Sequence, residues 1–288
     1  MIGRAACRGA ATIVNAIATG KGAAFGISLE TDAVVEIEEG AGGVVLRDSQ
    51  ESPDLPTGCV QAVASRLLKK EVSGEIHIRS EIPVSRGLKS SSAVSNAVVL
   101  ATVRALGGDM SDMDVVLTGI DESMKAGVTI TGAFDDASAC FLGGVVVTNN
   151  RSFTILNRGS LDLDLEVLIH VPNRKITKAS VKDLDFSPIR AKVDHAVDLA
   201  LRGEFLKAME INSKAYAGVL GVSEEAAELA RKNGALAAGI TGTGPATVAL
   251  CQPGEAGAVF NALQNLEGTV LRARINDTPS KEVVPRLF

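Results

Sequence analysis

Pro83-Val-Ser-Arg-Gly-Leu-Lys-Ser-Ser-Ser-Ala93 is the stretch on which the fold of this 288-residue chain turns. Before it, Ile76, Ile78 and Ile82 alternate with Glu75, His77, Arg79 and Glu81, which predicts a strand that Pro83 ends. After it, Val94, Ala97, Val98, Leu100, Ala101 and Val103 leave almost no polar face, so they predict a buried helix closed by Gly107-Gly108. A small-residue loop feeding a buried helix makes an anion site, because free N–H groups and the helix dipole both attract negative charge. Gly87 permits close approach, Ser90, Ser91 and Ser92 add donors, and Lys89 adds a positive charge. One serine is enough for a cap, so three after Gly-x-Lys point to a ligand with several anionic oxygens, such as a triphosphate. The Gly-x-x-x-x-Gly-Lys-Ser/Thr spacing is absent, and no Gly-x-Gly-x-x-Gly opens a helix.

Toward the N-terminus, residues 33–39 and 44–47 predict two strands around a glycine turn. A polar loop with Pro53 and Pro56 follows, and Thr57 is placed to cap a helix reaching residue 70. Toward the C-terminus, a helix over residues 111–126 leads into a glycine-punctuated segment, Gly127 to Gly144, and a strand over 145–149. Beyond that, strands are expected at 165–171 and 269–275, and helices at 189–202, 204–218, 223–234 and 254–266. Short apolar runs at 235–240 and 246–251 flank Thr241-Gly-Thr-Gly-Pro245. Strands and helices do not strictly alternate, so the fold class is α+β. Asn149-Asn150-Arg151 and Gly159-Ser160 interrupt the pattern, which divides the chain into residues 1–158 and 159–288.

Composition excludes several functions. The net charge is −5, with 8 Phe, 1 Tyr and no Trp, so the chain lacks the cations and rings that hold nucleic acid. The four cysteines are scattered singly and the three histidines lie far apart, which argues against zinc and disulfides and suits a reducing cytoplasm. No stretch reaches the roughly 18 apolar residues of a membrane span, and residues 1–11 lack a signal-peptide core. Asp135-Asp136 is unusual: two acids in an apolar, glycine-rich stretch need a cation or a donor when buried, or one of them caps a helical turn.

Three segments together resemble the GHMP kinases. Pro83-x-x-x-Gly87-Leu88-x-Ser90-Ser91-x-Ala93 is similar to that family's phosphate-binding motif. Ala11-Thr12-x-x-Asn15-Ala16, with Gly22 and Phe25-Gly26, resembles its N-terminal substrate motif, and Gly239-x-Thr241-Gly-Thr-Gly244-Pro-Ala246 its C-terminal glycine loop. Lys89 and Ser92 replace the usual small residues, and with Gly132-Ala-Phe-Asp-Asp136 they resemble the archaeal shikimate kinases within that family.

The resemblance implies a ribosomal-protein-S5-like N-terminal domain, a ferredoxin-like C-terminal domain, and transfer of phosphate from ATP, with Mg²⁺, to shikimate. It implies nucleotide binding by Pro83, Arg86, Gly87, Leu88, Lys89, Ser90, Ser91, Ser92, Ala93, Gly242 and Gly244. Mg²⁺ would rest on Ser91 and Glu122, oxygen donors suited to a hard cation. Asp136 matches the catalytic aspartate by its spacing from Gly143-Gly144, with Asp135 second and Lys89 beside them. Substrate would meet Thr12, Asn15, Gly242 and Thr243. The shikimate carboxylate needs a guanidinium or ammonium, for which Lys21, Arg86, Arg174, Lys175 and Lys178 are candidates. Adenine would be held by aliphatic side chains and backbone. A monomer or a homodimer is expected.

Overall fold

A computed structural model describes residues 1–47, 51–129, 132–161, 164–174, 176, 181 and 183–286. The first half is a six-stranded sheet carrying four helices. Strands β1 (Ile2–Val14) and β2 (Lys21–Glu39) form a long antiparallel hairpin. β1 carries small apolar residues on both faces, Ala5, Ala6, Cys7, Ala10 and Ala11, all fully buried. That is why it lacks the two-residue alternation by which a half-buried strand is read. β3 (Val44–Arg47), helix α1 (Asp54–Leu67) and β4 (Val72–Ser80) follow. α1 starts ahead of Thr57, whose hydroxyl donates back to the Pro53 carbonyl (2.8 Å) instead of capping.

Helix α2 (Ser90–Ala105) is the buried one, and it packs on β1 and β2. α3 (Asp112–Lys125) and α4 (Phe134–Leu142) flank it, and β5 (Val145–Asn149) and β6 (Thr154–Gly159) complete the sheet. The strand order is β3-β4-β2-β5-β6, with β1 on the other edge of β2. β2 is long enough for β5 to pair with residues 21–25 and β4 with residues 31–39.

In the second half, β7 (Glu166–Val171) is followed by α5 (Arg190–Leu201), α6 (Phe205–Leu220) and α7 (Glu225–Lys232). β8 (Ala237–Ile240), β9 (Thr247–Cys251), α8 (Ala256–Gln264) and β10 (Thr269–Arg274) complete an antiparallel sheet ordered β10-β7-β9-β8. α6 sits between β8 and β1, so one apolar core runs from α2 through the first sheet into α5 and α6. Residues 276–286 then return to the first sheet. Asn276 exchanges backbone bonds with Gly26 and Gly144, and the Ser280 N–H donates to Phe141 O. No described helix is long and apolar enough to cross a membrane.

Candidate active site

The head of α2 opens into a cleft of about 380 Å³ between the two halves. Lys89 precedes the helix in a left-handed conformation, φ +66°. Its ammonium is thereby carried to Asp136, 2.9 Å from Oδ1, and to the Thr12 hydroxyl at 2.7 Å. The Lys89 side chain is only 5% exposed and that of Asp136 16%, so this pair is largely shielded from solvent. Asp136 Oδ1 is near the ammonium as a charge, yet no described residue gives it an aligned hydrogen bond.

The three recognised motifs are knotted together by hydrogen bonds across the domain junction. The Gly242 N–H donates to Thr12 Oγ1 (2.8 Å), and the Thr12 N–H donates to Thr241 Oγ1 (3.1 Å). The Thr241 hydroxyl donates to Gly87 O (2.9 Å), and Asn15 Nδ2 donates to Gly242 O (2.8 Å). Gly87 is required here: at φ +86° a Cβ would stand 2.1 Å from Thr241 O. Both lone pairs of Thr12 Oγ1 are taken, by Lys89 and by Gly242, so its own proton can only be donated.

Asp135 lies behind Asp136, 3% exposed. Its Oδ1 accepts from Asn150 Nδ2 (2.8 Å), and its Oδ2 faces Gly22, where a Cβ would be 2.2 Å away. Burial pushes the Asp135 carboxyl up to about 7, and the Asp136 charge adds to the rise; Lys89 and the Asn150 amide oppose it.

The structure gathers Thr12, Asn15, Pro83, Gly87, Leu88, Lys89, Ser90, Ser91, Ser92, Asp135, Asp136, Gly242 and Thr243 around the cleft. Arg86, Ala93 and Gly244 are not on its wall. Ala93 closes the first turn of α2 on Lys89 O, and the Arg86 and Gly244 backbones brace the glycine loop. Glu122 does not line the cleft: its carboxylate turns to α1, where a Cβ on Gly58 would lie 2.5 Å from Oε2, and it pairs with Lys125 at 2.6 Å. Ser123, next on α3, faces the cleft instead. Lys21 opens β2 opposite Asn149, and Arg174 donates to Gly221 O, so neither lines the cleft. Lys175 and Lys178 lie outside the described residues. Among the described lining residues Lys89 is the one cation, and no aromatic ring is present.

Sequence patterns do not reveal the supports supplied by α6. Asn212 Oδ1 accepts from the Asn15 N–H (2.9 Å), Tyr216 donates to Asn15 O (2.9 Å), and Ser213 Oγ accepts from the Ile240 N–H (2.8 Å). The only available signal is the set Asn212, Ser213 and Tyr216 on one helix.

Residues 54–144 match the description "GHMP kinases N terminal domain", and residues 197–267 match "GHMP kinases C terminal". The shikimate kinase of Methanothrix thermoacetophila is 41% identical over 293 residues, covering 100% of this chain and 99% of that one. That of Pyrococcus furiosus is 42% identical over 243 residues, covering 84% and 88%. Among solved structures, Methanococcus jannaschii mevalonate kinase superposes with a TM-score of 0.75 at 16% identity, over 96% of this chain and 98% of that one. Homoserine kinase from Cytophaga hutchinsonii gives 0.75 at 17%, over 96% of each. The low identities of these two carry the fold alone, and the archaeal relatives carry the kinship. With the phosphate loop, the carboxylate pair and the glycine loop meeting in one cleft, this chain belongs to the GHMP kinase family.

Proposed function

We propose that this chain is an ATP-dependent shikimate kinase, transferring the γ-phosphoryl group of ATP to the 3-hydroxyl of shikimate on the route to aromatic amino acids. The observation that carries the reading is Asp136: its carboxylate lines the cleft at the head of α2, with Oδ1 buried against the Lys89 ammonium at 2.9 Å. The rest of the carboxylate, at the cleft wall, is left to accept from the acceptor hydroxyl. Full-length kinship with archaeal shikimate kinases supports the choice of acceptor.

Ser90, Ser91, Ser92 and the free N–H groups heading α2 receive the phosphates, with the Gly242 loop on the opposite side. Asp136 takes the hydrogen bond of the acceptor hydroxyl and aims its oxygen at the γ-phosphorus. As the new P–O bond forms and the bond to the bridging oxygen breaks, Asp136 receives the hydroxyl proton. Lys89 holds Asp136 in place and offsets charge near the transferred group. Thr12 donates its proton toward the acceptor, and Thr243 lines the same wall.

Of the two residues expected to meet magnesium, Ser91 lines the cleft and Glu122 faces α1. Ser91 would hold a magnesium ion bound to the nucleotide phosphates, and the ion would supply charge neutralisation there. Residues 1–158 would then be the phosphate-binding domain and 159–288 the ferredoxin-like one, in a cytoplasmic monomer or homodimer. An acceptor panel of shikimate, homoserine and mevalonate with ATP and Mg²⁺ tests the substrate. Shikimate is expected to give by far the highest kcat/KM; preference for either other alcohol places the chain elsewhere in the family.

A further inference from the structure

Helix α4 carries both acidic residues and starts without a cap of its own. Ala133 stands at its N-cap with φ +48° and has no side-chain oxygen to offer. The partner comes instead from the residue just after β5. Asn150 Oδ1 accepts from the Asp135 N–H (3.3 Å), and Asn150 Nδ2 donates to Asp135 Oδ1 (2.8 Å). The amide is held from behind. The Thr148 hydroxyl donates to Oδ1 (2.7 Å), and the Asn150 N–H donates to Gly20 O (2.8 Å). Asn150 is 3% exposed and Thr148 fully buried, so water cannot take over these bonds. The amide has one workable orientation: flipped, its NH₂ would face the Asp135 N–H, donor against donor.

Asn150 therefore grips the first turn of α4 at the backbone and at the carboxylate of Asp135, while bare Gly22 closes the other side. Asp136 is the next residue in that turn, with Oδ1 2.9 Å from the Lys89 ammonium. We infer that Asn150 is a positioning residue for phosphoryl transfer, capping α4 from outside and locking Asp135 so that Asp136 stays aimed at Lys89 and the acceptor. The inference rests on the reading of Asp136 as the group that meets the acceptor hydroxyl.

The groups facing Asp135 are Asp136 and Cys140 from α4, Lys89 from the loop before α2, Tyr216 from α6 and the Asn150 amide. Removing the amide takes away a donor that favours the ionised acid, so the ionisation of Asp135 should move upward.

The test uses the full chain with Asn150→Ala, Asn150→Ser and Asp136→Asn, each followed by kcat and both KM values across pH, and by thermal melting. Asn150→Ala is expected to lower kcat about 10- to 100-fold, as misaimed groups do, with KM for ATP within about twofold. Its pH profile should shift upward by about one pH unit on the acidic side. Asn150→Ser shortens the side chain by one bond: its hydroxyl offers the helix N–H an acceptor, but its proton no longer reaches the carboxylate that the amide Nδ2 meets at 2.8 Å. It should recover melting temperature while keeping the shifted profile. A lowered melting temperature with wild-type kcat and pH profile overturns the inference. If Asn150→Ala does not fold, a wild-type profile in Asn150→Ser overturns it alone. Wild-type turnover in Asp136→Asn overturns the underlying reading instead, which keeps the two failures apart.

Discussion

Lys89 Nζ lies 2.9 Å from Asp136 Oδ1, and the backbone of Lys89 itself makes the meeting possible. In a helical conformation its side chain would join the first turn of α2; at φ +66° it turns across to α4. Lys89→Ala removes the partner of a shielded carboxylate and the charge beside the transferred group. Turnover should fall about 100-fold or more, with KM for ATP changed less than about threefold. Steady-state kinetics decides: a raised ATP requirement with intact kcat would return Lys89 to the phosphates.

Thr12 joins the two halves of the molecule through one oxygen that receives both Lys89 and Gly242. Valine has the same shape and no acceptor, so two donors would be stranded. Thr12→Val should cost about 2–6 kcal/mol at about 1–3 per stranded group. Thr12→Ser should recover most of it. Denaturant unfolding of the two variants measures the difference.

Two glycines mark places where backbone passes so near a functional group that no side chain fits. A Cβ on Gly22 would stand 2.2 Å from Asp135 Oδ2, and one on Gly87 2.1 Å from Thr241 O. Gly22→Ala should push Asp135 and lower kcat about 100-fold while ATP affinity holds. Gly87→Ala should prise the glycine loop from the phosphate loop and weaken ATP binding first. Nucleotide titration beside turnover separates the two effects.

Asp135 gives stability a pH dependence of unusual sign for a carboxylate. Its proton is held to about pH 7 in the folded chain, and to about 3.9 when unfolded. Between those limits unfolding releases a proton, so this contribution is complete below about pH 4 and is lost as pH rises through about 7. Asp135→Asn removes it. The melting temperature of the variant minus that of the parent should therefore rise from pH 4 to pH 8, and a flat difference would refute the burial account.

The phosphate loop was legible in the sequence because its physics is local: a strand stop, small residues and a buried helix lie side by side. The pair Asp135-Asp136 stood out because acids rarely occupy apolar stretches. The direction of Lys89 was not legible, since it depends on one left-handed residue. The rotation of α3 decides Glu122, and neighbouring side chains on a helix face differ too little in pattern to fix it. Asn150 reads as a break between domains, whereas the structure makes it the clamp on α4. Asn212 and Tyr216 support Asn15 from the far half of the chain, and no local spacing announces such a partner.

The central claim is that the cleft phosphorylates shikimate through Asp136. ADP release with ATP, Mg²⁺ and shikimate as sole acceptor tests it most directly, in the parent and in Asp136→Asn. The account predicts ADP formed in step with shikimate consumed, and turnover lost by about 100-fold or more in the variant with nucleotide affinity kept. A chain that binds ATP yet releases no ADP with shikimate, or a variant that turns over like its parent, would contradict it.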